Sequence, residues 1–142
     1  MKKFKFSMEK ILELRRFEQS QAEAELGKVN AQIAQIRQKL EAIAVKKISS
    51  TKEFNTDSNI MVMNQLQNYF YMLDQKKEEC LEEMAKLELV AEEKREAVRK
   101  CMQNVKVLEK LKENKLKEWH KEFQKQEENV MDDVVTAQSY RE

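Results

Sequence analysis

An apolar residue recurs every three or four positions along most of the second half of the chain. The repeat comprises Leu66, Phe70, Leu73, Lys77, Cys80, Met84, Leu87, Ala91, Lys94, Val98, Cys101, Val105 and Leu108, and only its two lysines break the pattern. A period of 3.5 residues over this length indicates a helix that packs against another helix along one seam. Beyond Leu108 the spacing is less regular, although an apolar stripe continues towards Val134.

A shorter heptad repeat in the first half comprises Leu26, Val29, Ile33, Ile36, Leu40 and Ile43. Residues 49–59 separate the two repeats and are rich in Ser, Thr, Asn and Asp, which favour turns and helix caps. With no proline and one glycine, little else in the chain would end a helix. The sequence therefore predicts an all-α fold, an antiparallel two-helix coiled-coil hairpin with a longer second helix. It is a single domain, 1–142, with helix 5–52, turn 53–57 and helix 58–138.

The position of the turn predicts how the helices pair. If the chain turns near residue 56, each residue of the first helix faces the residue of the second helix for which the two numbers add up to about 113. Leu26 then faces Leu87, and Ala22 faces Ala91. A shift by one heptad fits both repeats equally well, because every seventh residue of a strict repeat is equivalent. In either register the second helix is longer by roughly 30 residues, or about 45 Å. Trp119 is expected in this overhang, with no segment of the same chain opposite it.

The charge balance and the N-terminus narrow the class of protein. Twenty-seven basic residues nearly cancel twenty-six acidic ones, which disfavours a dedicated nucleic-acid binder because such proteins need a net basic surface. Charged residues interrupt the apolar N-terminus, so it is not a signal peptide, and the longest uncharged run, 58–73, is shorter than a bilayer crossing of roughly 20 residues. On one straight helix Cys80 and Cys101 would lie about 30 Å apart, too far for a disulfide. These features predict a cytosolic protein with reduced thiols.

No group of residues in the sequence has the pattern of a catalytic or metal site. The single histidine, His120, lies in "WHKEF" and lacks the second histidine at i+4 that a zinc site on a helix requires. A pair of helices offers no concave pocket for a substrate, and there is no glycine-rich phosphate loop. The sequence predicts a protein that is not an enzyme, with no cofactor and no metal, and a solvated His120.

Two apolar groups exceed what a two-helix seam needs. In the predicted overhang, the stripe formed by Leu116, Trp119 and Phe123 either shields apolar surface or anchors another protein. In "IMVMNQLQNYFYML", residues 60–73, some side chains must point away from the partner helix. They either close a wider end of the hairpin or bind a protein. The candidates here are Met63, Tyr69, Phe70, Tyr71 and Leu73.

Basic residues are concentrated at the open end of the predicted hairpin. Residues 1–16 carry six lysines and arginines, among them Arg15 and Arg16, against two glutamates, and residues 99–125 are also rich in lysine. These charges either form a solvated face with pairs at i and i+4 or make a basic end that enters an acidic ring.

Three stretches together resemble the flagellar export protein FliJ family. They are "FKFSMEKILELRRFEQSQAEAEL" at the start, "LQNYFYMLDQK" in the middle and "LEKLKENKLKEWHKEFQKQEENVMDD" near the end, in the order and at the chain length of that family. The resemblance implies an antiparallel two-helix coiled coil similar to the stalk of the rotary ATP synthase gamma subunit.

The same resemblance implies partners and a location. The expected partners are a hexameric FliI-like export ATPase, a FlhA-like export gate protein and export chaperones, met in the cytoplasm or at the inner membrane near the flagellar basal body. The basic open end would then meet the ATPase, and residues 60–73 the gate or the chaperones. The chain itself is expected to be a monomer or a weak oligomer. Two alternatives remain: a coiled-coil scaffold, including the stalk of a virulence secretion system, and a lysine-based binder of nucleic acid or membrane surfaces.

Overall fold

The computed structural model describes residues 3–54 and 59–141, without the side chain of Phe54. Two helices make up nearly all of this part: α1, Glu9–Phe54, and α2, Ile60–Arg141. They pack against each other in opposite directions and the described residues contain no strand, which confirms the predicted all-α hairpin with a longer second helix. Of the predicted turn 53–57, residues 53 and 54 belong to α1 and the others lie outside the described residues.

Parts of both helices contribute to each of two compact units. The first unit consists of Met1–Ser20 with Arg99–Glu142, and the second is Gln21–Val98. In the second unit Val29, Ile33 and Ala91 are buried together, with Leu26, Met84 and Leu87 packed against them. Every residue of the two heptad repeats is buried or half-buried except Lys77, as the pattern predicts.

The observed register differs by one heptad from the one centred on residue 56. Lys94 Nζ lies 2.9 Å from Oε2 of Glu25, and Lys47 pairs with Asp74, so the numbers of paired residues total about 120. The predicted register assumed helices paired right up to the turn. In the observed register the last residue of α1 lies beside residue 66 of α2, whereas α2 already begins at Ile60. The first six residues of α2 therefore project about 9 Å beyond α1.

The first unit has its own core and a different chain start from the one predicted. Its core contains Phe6, Leu12, Val105 and Leu108, and the partly buried Phe4, Met8 and Leu111 pack against them.

The prediction that the first helix begins at residue 5 is wrong, because residues 3–8 are not helical and α1 begins at Glu9. The amide of Glu9 donates to the carbonyl of Phe6 (3.2 Å), and that of Leu12 donates to Met8 (2.9 Å). This non-helical start lets Phe4 and Phe6, two residues apart, both reach α2, which successive positions of a helix would not allow.

Two basic residues, Arg15 of α1 and Lys94 of α2, make ion pairs beside the contact between the helices. Arg15 lies 3.1 Å from Glu18 within α1, and Lys94 donates a hydrogen bond to Glu25 across the two helices. The hydrogen bond from Lys94, and then its positive charge, lower the pKa of Glu25 below its ordinary value. A carboxyl whose pKa is lowered by folding stabilises the protein above its unfolded pKa, and the contribution is lost as the pH falls through the folded value. Since Glu25 is exposed, the effect is small.

Replacing Gly27 with alanine should raise the stability of the hairpin. Gly27 lies within α1, its φ is not positive, and a Cβ built there meets nothing within 4 Å. An alanine loses less backbone entropy than glycine when it becomes helical, which is worth about 0.5–1 kcal/mol. Urea unfolding followed by circular dichroism should show the higher midpoint. An unchanged or lower midpoint would mean that residue 27 is not in a regular helix.

Candidate partner-binding surfaces

The candidate binding residues of the stretch 60–73 lie near the start of α2, in the second unit. Tyr71 is 68% exposed and Met63 47%, whereas Tyr69 and Phe70 are half-buried with their ring centroids 6.5 Å apart. Leu73 is different, because its side chain is only 2% exposed. It belongs to the core of the hairpin and is not available to a partner in this structure, contrary to its selection as a binding residue.

Three exposed residues near the start of α2 were not among the predicted binding residues. They are Ile60 (75% exposed), Met61 (74%) and Met72 (43%). Ile60 and Tyr71 are eleven residues apart, or three helical turns, as are Met61 and Met72, so these four residues share one side of α2. We call Ile60, Met61, Met63, Tyr71 and Met72 the loop-end surface. The excess of apolar residues was visible in the sequence, but their exposure depends on the register, which the sequence left open.

The arginines at the start of α1 are engaged in ion pairs in the first unit. Arg15 pairs with Glu18 on its own helix, and Arg16 Nη2 lies 3.3 Å from Oε1 of Glu109 on α2. Nearby, Lys112 Nζ is 2.8 Å from Oε2 of Glu9, close enough for an ion pair but without the angles of a hydrogen bond. The pairs of Arg16 and Lys112 tie α1 to α2, and all three pairs leave less free positive charge than the sequence suggests.

The aromatic stripe of α2 has a partner within its own chain. The ring centroid of Trp119 lies 6.3 Å from that of Phe4, 5.5 Å from Phe123, which stacks on it at 14°, and 5.2 Å from His120. Trp119 and Phe123 are half-buried and Leu116 is 36% exposed. The expectation that no segment of the chain lies opposite Trp119 is therefore wrong. Residues 3–8 reach Trp119 for two reasons. The register is shifted by one heptad from the predicted one, and the backbone of these residues is extended compared with a helix.

The unpartnered part of α2 begins later than predicted. Every residue from Gln124 to Arg141 is exposed, including five large apolar residues: Val130 at 60%, Met131 at 66%, Val134 at 48%, Val135 at 63% and Tyr140 at 89%. The sequence showed Val130 and Val134 as part of the stripe but did not mark them as binding residues.

The remaining polar candidates form no chemical site. His120 is exposed and contacts Trp119 edge-on. Cys80 and Cys101 are free thiols and half-buried. Within residues 3–54 and 59–141, no cluster of three or more His, Cys, Asp or Glu side chains could hold a metal ion. Over the same part of the chain, neither helix is apolar over a sufficient length to cross a membrane.

The two helices are held together by two apolar clusters and by interhelical ion pairs. This arrangement defines the chain as an all-α protein of the coiled-coil type. The family model of the flagellar FliJ protein matches residues 4–142, so this chain belongs to that family. The predicted family is thereby confirmed. No curated protein and no solved structure matches the chain.

Membership of the family assigns a process. The chain is a component of flagellar protein export, and the family is a non-catalytic, cytoplasmic part of the export apparatus.

Proposed function

We propose that this protein is a stalk of the flagellar type III export apparatus that meets two kinds of partner on different parts of the hairpin. The loop-end surface binds the export gate, a FlhA-like protein, or export chaperones. The end where α1 begins meets the FliI-like ATPase hexamer. The chain would then act near the inner membrane without inserting into it. The observation that carries the proposal is the exposure of the loop-end surface.

The loop-end surface has the composition of a protein-binding site. Tyr71 is a large aromatic side chain with a polar end, a residue type enriched in interfaces. Met61, Met63 and Met72 are flexible and polarizable, which allows them to fit partners of differing shape. Ile60 and Met61 lie on the projecting turns of α2, where no residue of α1 is level with them. Apolar side chains grouped in this way on an exposed surface favour association with another protein.

The other end of the hairpin offers a different surface. Lys3, Lys5 and Lys10 precede or begin α1, and all the side chains at this end that form ion pairs remain at least one-third exposed. A surface of this kind approaches an acidic partner through long-range attraction, which accelerates encounter more than it tightens binding. Contact with the interior of an ATPase ring would use these charges together with the apolar residues of α2 beyond residue 116.

Replacing Tyr71 with alanine should weaken binding to the gate protein about tenfold, which corresponds to about 1.4 kcal/mol for the loss of an interface aromatic. The affinity of the purified chain for the cytoplasmic part of a FlhA-like gate protein can be measured by isothermal titration calorimetry. Tyr140→Ala is the matched control, since Tyr140 is 89% exposed and lies at the other end of α2. Equal affinities for the two variants and the wild type would exclude the loop-end surface as the gate-binding site.

A scaffold without a role at the ATPase is the alternative function, and the two differ in one measurement. A stalk that enters the ATPase ring should raise the turnover of the FliI-like hexamer when added in stoichiometric amounts, whereas a scaffold should leave turnover unchanged. If the wild-type chain binds neither the ATPase nor the gate protein, the proposed function fails as a whole.

A further inference from the structure

Residues 3–8, which we call the strap, are attached to the rest of the first unit by Phe4, Phe6 and Met8, of which Phe6 is buried and the other two are half-buried. Phe6 is the inner attachment, because it is only 9% exposed and shares the core with Leu12, Val105 and Leu108. Phe4 is the outer attachment. It is half-buried, and its ring meets Trp119 at a tilt of 58° with a centroid distance of 6.3 Å.

The residues around Phe4 indicate what kind of ligand could bind to Trp119 in its place. The strap and α2 line an open groove, with Lys3 and Lys5 on the strap and Lys115, Glu118 and Glu122 on α2, where Lys115 Nζ lies 3.7 Å from Oε2 of Glu118. Trp119 lies in the same groove and receives the aromatic ring. The groove therefore suits a segment in which an aromatic residue lies between two cations, because the ring packs against the indole while the cations balance the net negative charge that Glu118 and Glu122 keep after the pairing with Lys115.

We propose that Phe4 is a reversible cover on Trp119, and that a partner polypeptide with an aromatic residue between two basic residues takes its place. The ring that is uncovered is that of Trp119, which lies on the same stripe of α2 as Leu116 and Phe123. This proposal rests on the proposed function, because the proposed function supplies a partner at the end where α1 begins. The strap and the partner compete for one position, so the apparent affinity for the partner equals the intrinsic affinity multiplied by the fraction of molecules in which the strap is open.

Opening of the cover does not require the helices to separate. The hydrogen bond from the Glu9 amide to the Phe6 carbonyl and the buried ring of Phe6 both lie between Phe4 and α1, so neither has to be broken for Phe4 to leave. The ion pair of Lys112 with Glu9 and the core around Leu12 lie on the α1 side of that turn. Local opening of an outer segment at a lower free energy than global unfolding is the usual behaviour of chain ends.

The fluorescence of Trp119, the single tryptophan of the chain, reports on the cover directly. Phe4→Ala should shift its emission to longer wavelength and raise its acrylamide quenching constant about twofold, since the indole loses the ring above it. Phe17→Ala is the matched control, because Phe17 is 59% exposed and no ring contact joins it to Trp119. It should leave both values unchanged, and both variants should retain the wild-type helical content by circular dichroism.

Two results would overturn the first half of the proposal. If Phe4→Ala leaves the fluorescence of Trp119 unchanged, Phe4 does not cover it. If Phe4→Ala loses helical content, the strap is a part of the core that cannot open by itself.

A peptide added in trans tests the chemistry of the competitor. The peptide KFKFSM, which has the sequence of the strap, should return the emission of the Phe4→Ala protein towards that of the wild type at concentrations of about 1–5 mM, as expected of a short flexible ligand. The peptide EFEFSM should not do so, because its glutamates face Glu118 and Glu122. Equal responses to both peptides, or none to either, would overturn the proposal. Neither the ATPase nor the gate protein takes part, so these outcomes are independent of the proposed function.

Discussion

Replacing Leu12 with alanine should lower the free energy of unfolding by about 3 kcal/mol, through lost apolar burial and the cavity left behind. Leu12 is completely buried and shares its cluster with Phe6, Val105 and Leu108. A pair of helices has only a thin core, so neighbouring side chains have few ways to fill the space. The thermal midpoint, followed by circular dichroism, should fall by roughly 10 °C.

Leu14→Ala provides the control for Leu12→Ala. The substitution is chemically identical and lies two residues away on the same helix, but Leu14 is 51% exposed. Its expected effect is within about 0.5 kcal/mol of the wild type, as for most surface changes. Similar losses in the two variants would mean that Leu12 does not face α2.

Replacing Ala91 with leucine should destabilise the chain by about 1–3 kcal/mol, the usual cost of overfilling a packed core. Ala91 is completely buried against Val29 and Ile33. The result also distinguishes the two registers. In the register whose residue numbers total about 113, position 91 would face Ala22, where two small side chains leave space and a leucine would be tolerated or even stabilising.

Ala97→Leu is the control for Ala91→Leu, since Ala97 is an exposed alanine of the same helix. Both substitutions replace one good helix former with another, so helix propensity alone should hardly change stability in either case. Urea unfolding of both variants gives the comparison. A midpoint for Ala91→Leu at or above that of Ala97→Leu would contradict the observed register.

The heptad pattern was sufficient to predict the fold. Val29, Ile33, Leu73, Ala91 and Val105 are buried at the positions where a period of 3.5 places them. This is so because burying the apolar stripe of one long helix against another is the main way such a chain removes apolar surface from water. The register was not predictable to the same degree, since a shift of seven residues exchanges the partners but leaves the same residues buried. The observed register is recognised by particular contacts, such as Glu25 with Lys94 and Ala91 with Val29, which the period does not distinguish from their alternatives.

The strap escaped prediction for a different reason. The 3.5-residue period of the first repeat, extended towards the N-terminus, reaches Met8, and nothing in the composition of residues 3–8 distinguishes them from α1. Phe4 and Phe6 reach α2 together only when their backbone is not helical, and the gain from burying two aromatic side chains outweighs the helical hydrogen bonds given up. The loop-end surface was predicted in part, because an excess of apolar residues can be counted, while the exposure of each one depends on the register.

The exposed run from Gln124 to Arg141 has a consequence for how partners are selected. Seven of the eight residues in "NVMDDVVT", 129–136, have modest helix propensity, and no neighbouring helix shields them. An isolated helix of such composition unwinds readily in water. A protein that grips this tail must therefore supply the ordering free energy itself. Such binding gives a lower affinity for a given contact area than binding to a helix that is already ordered.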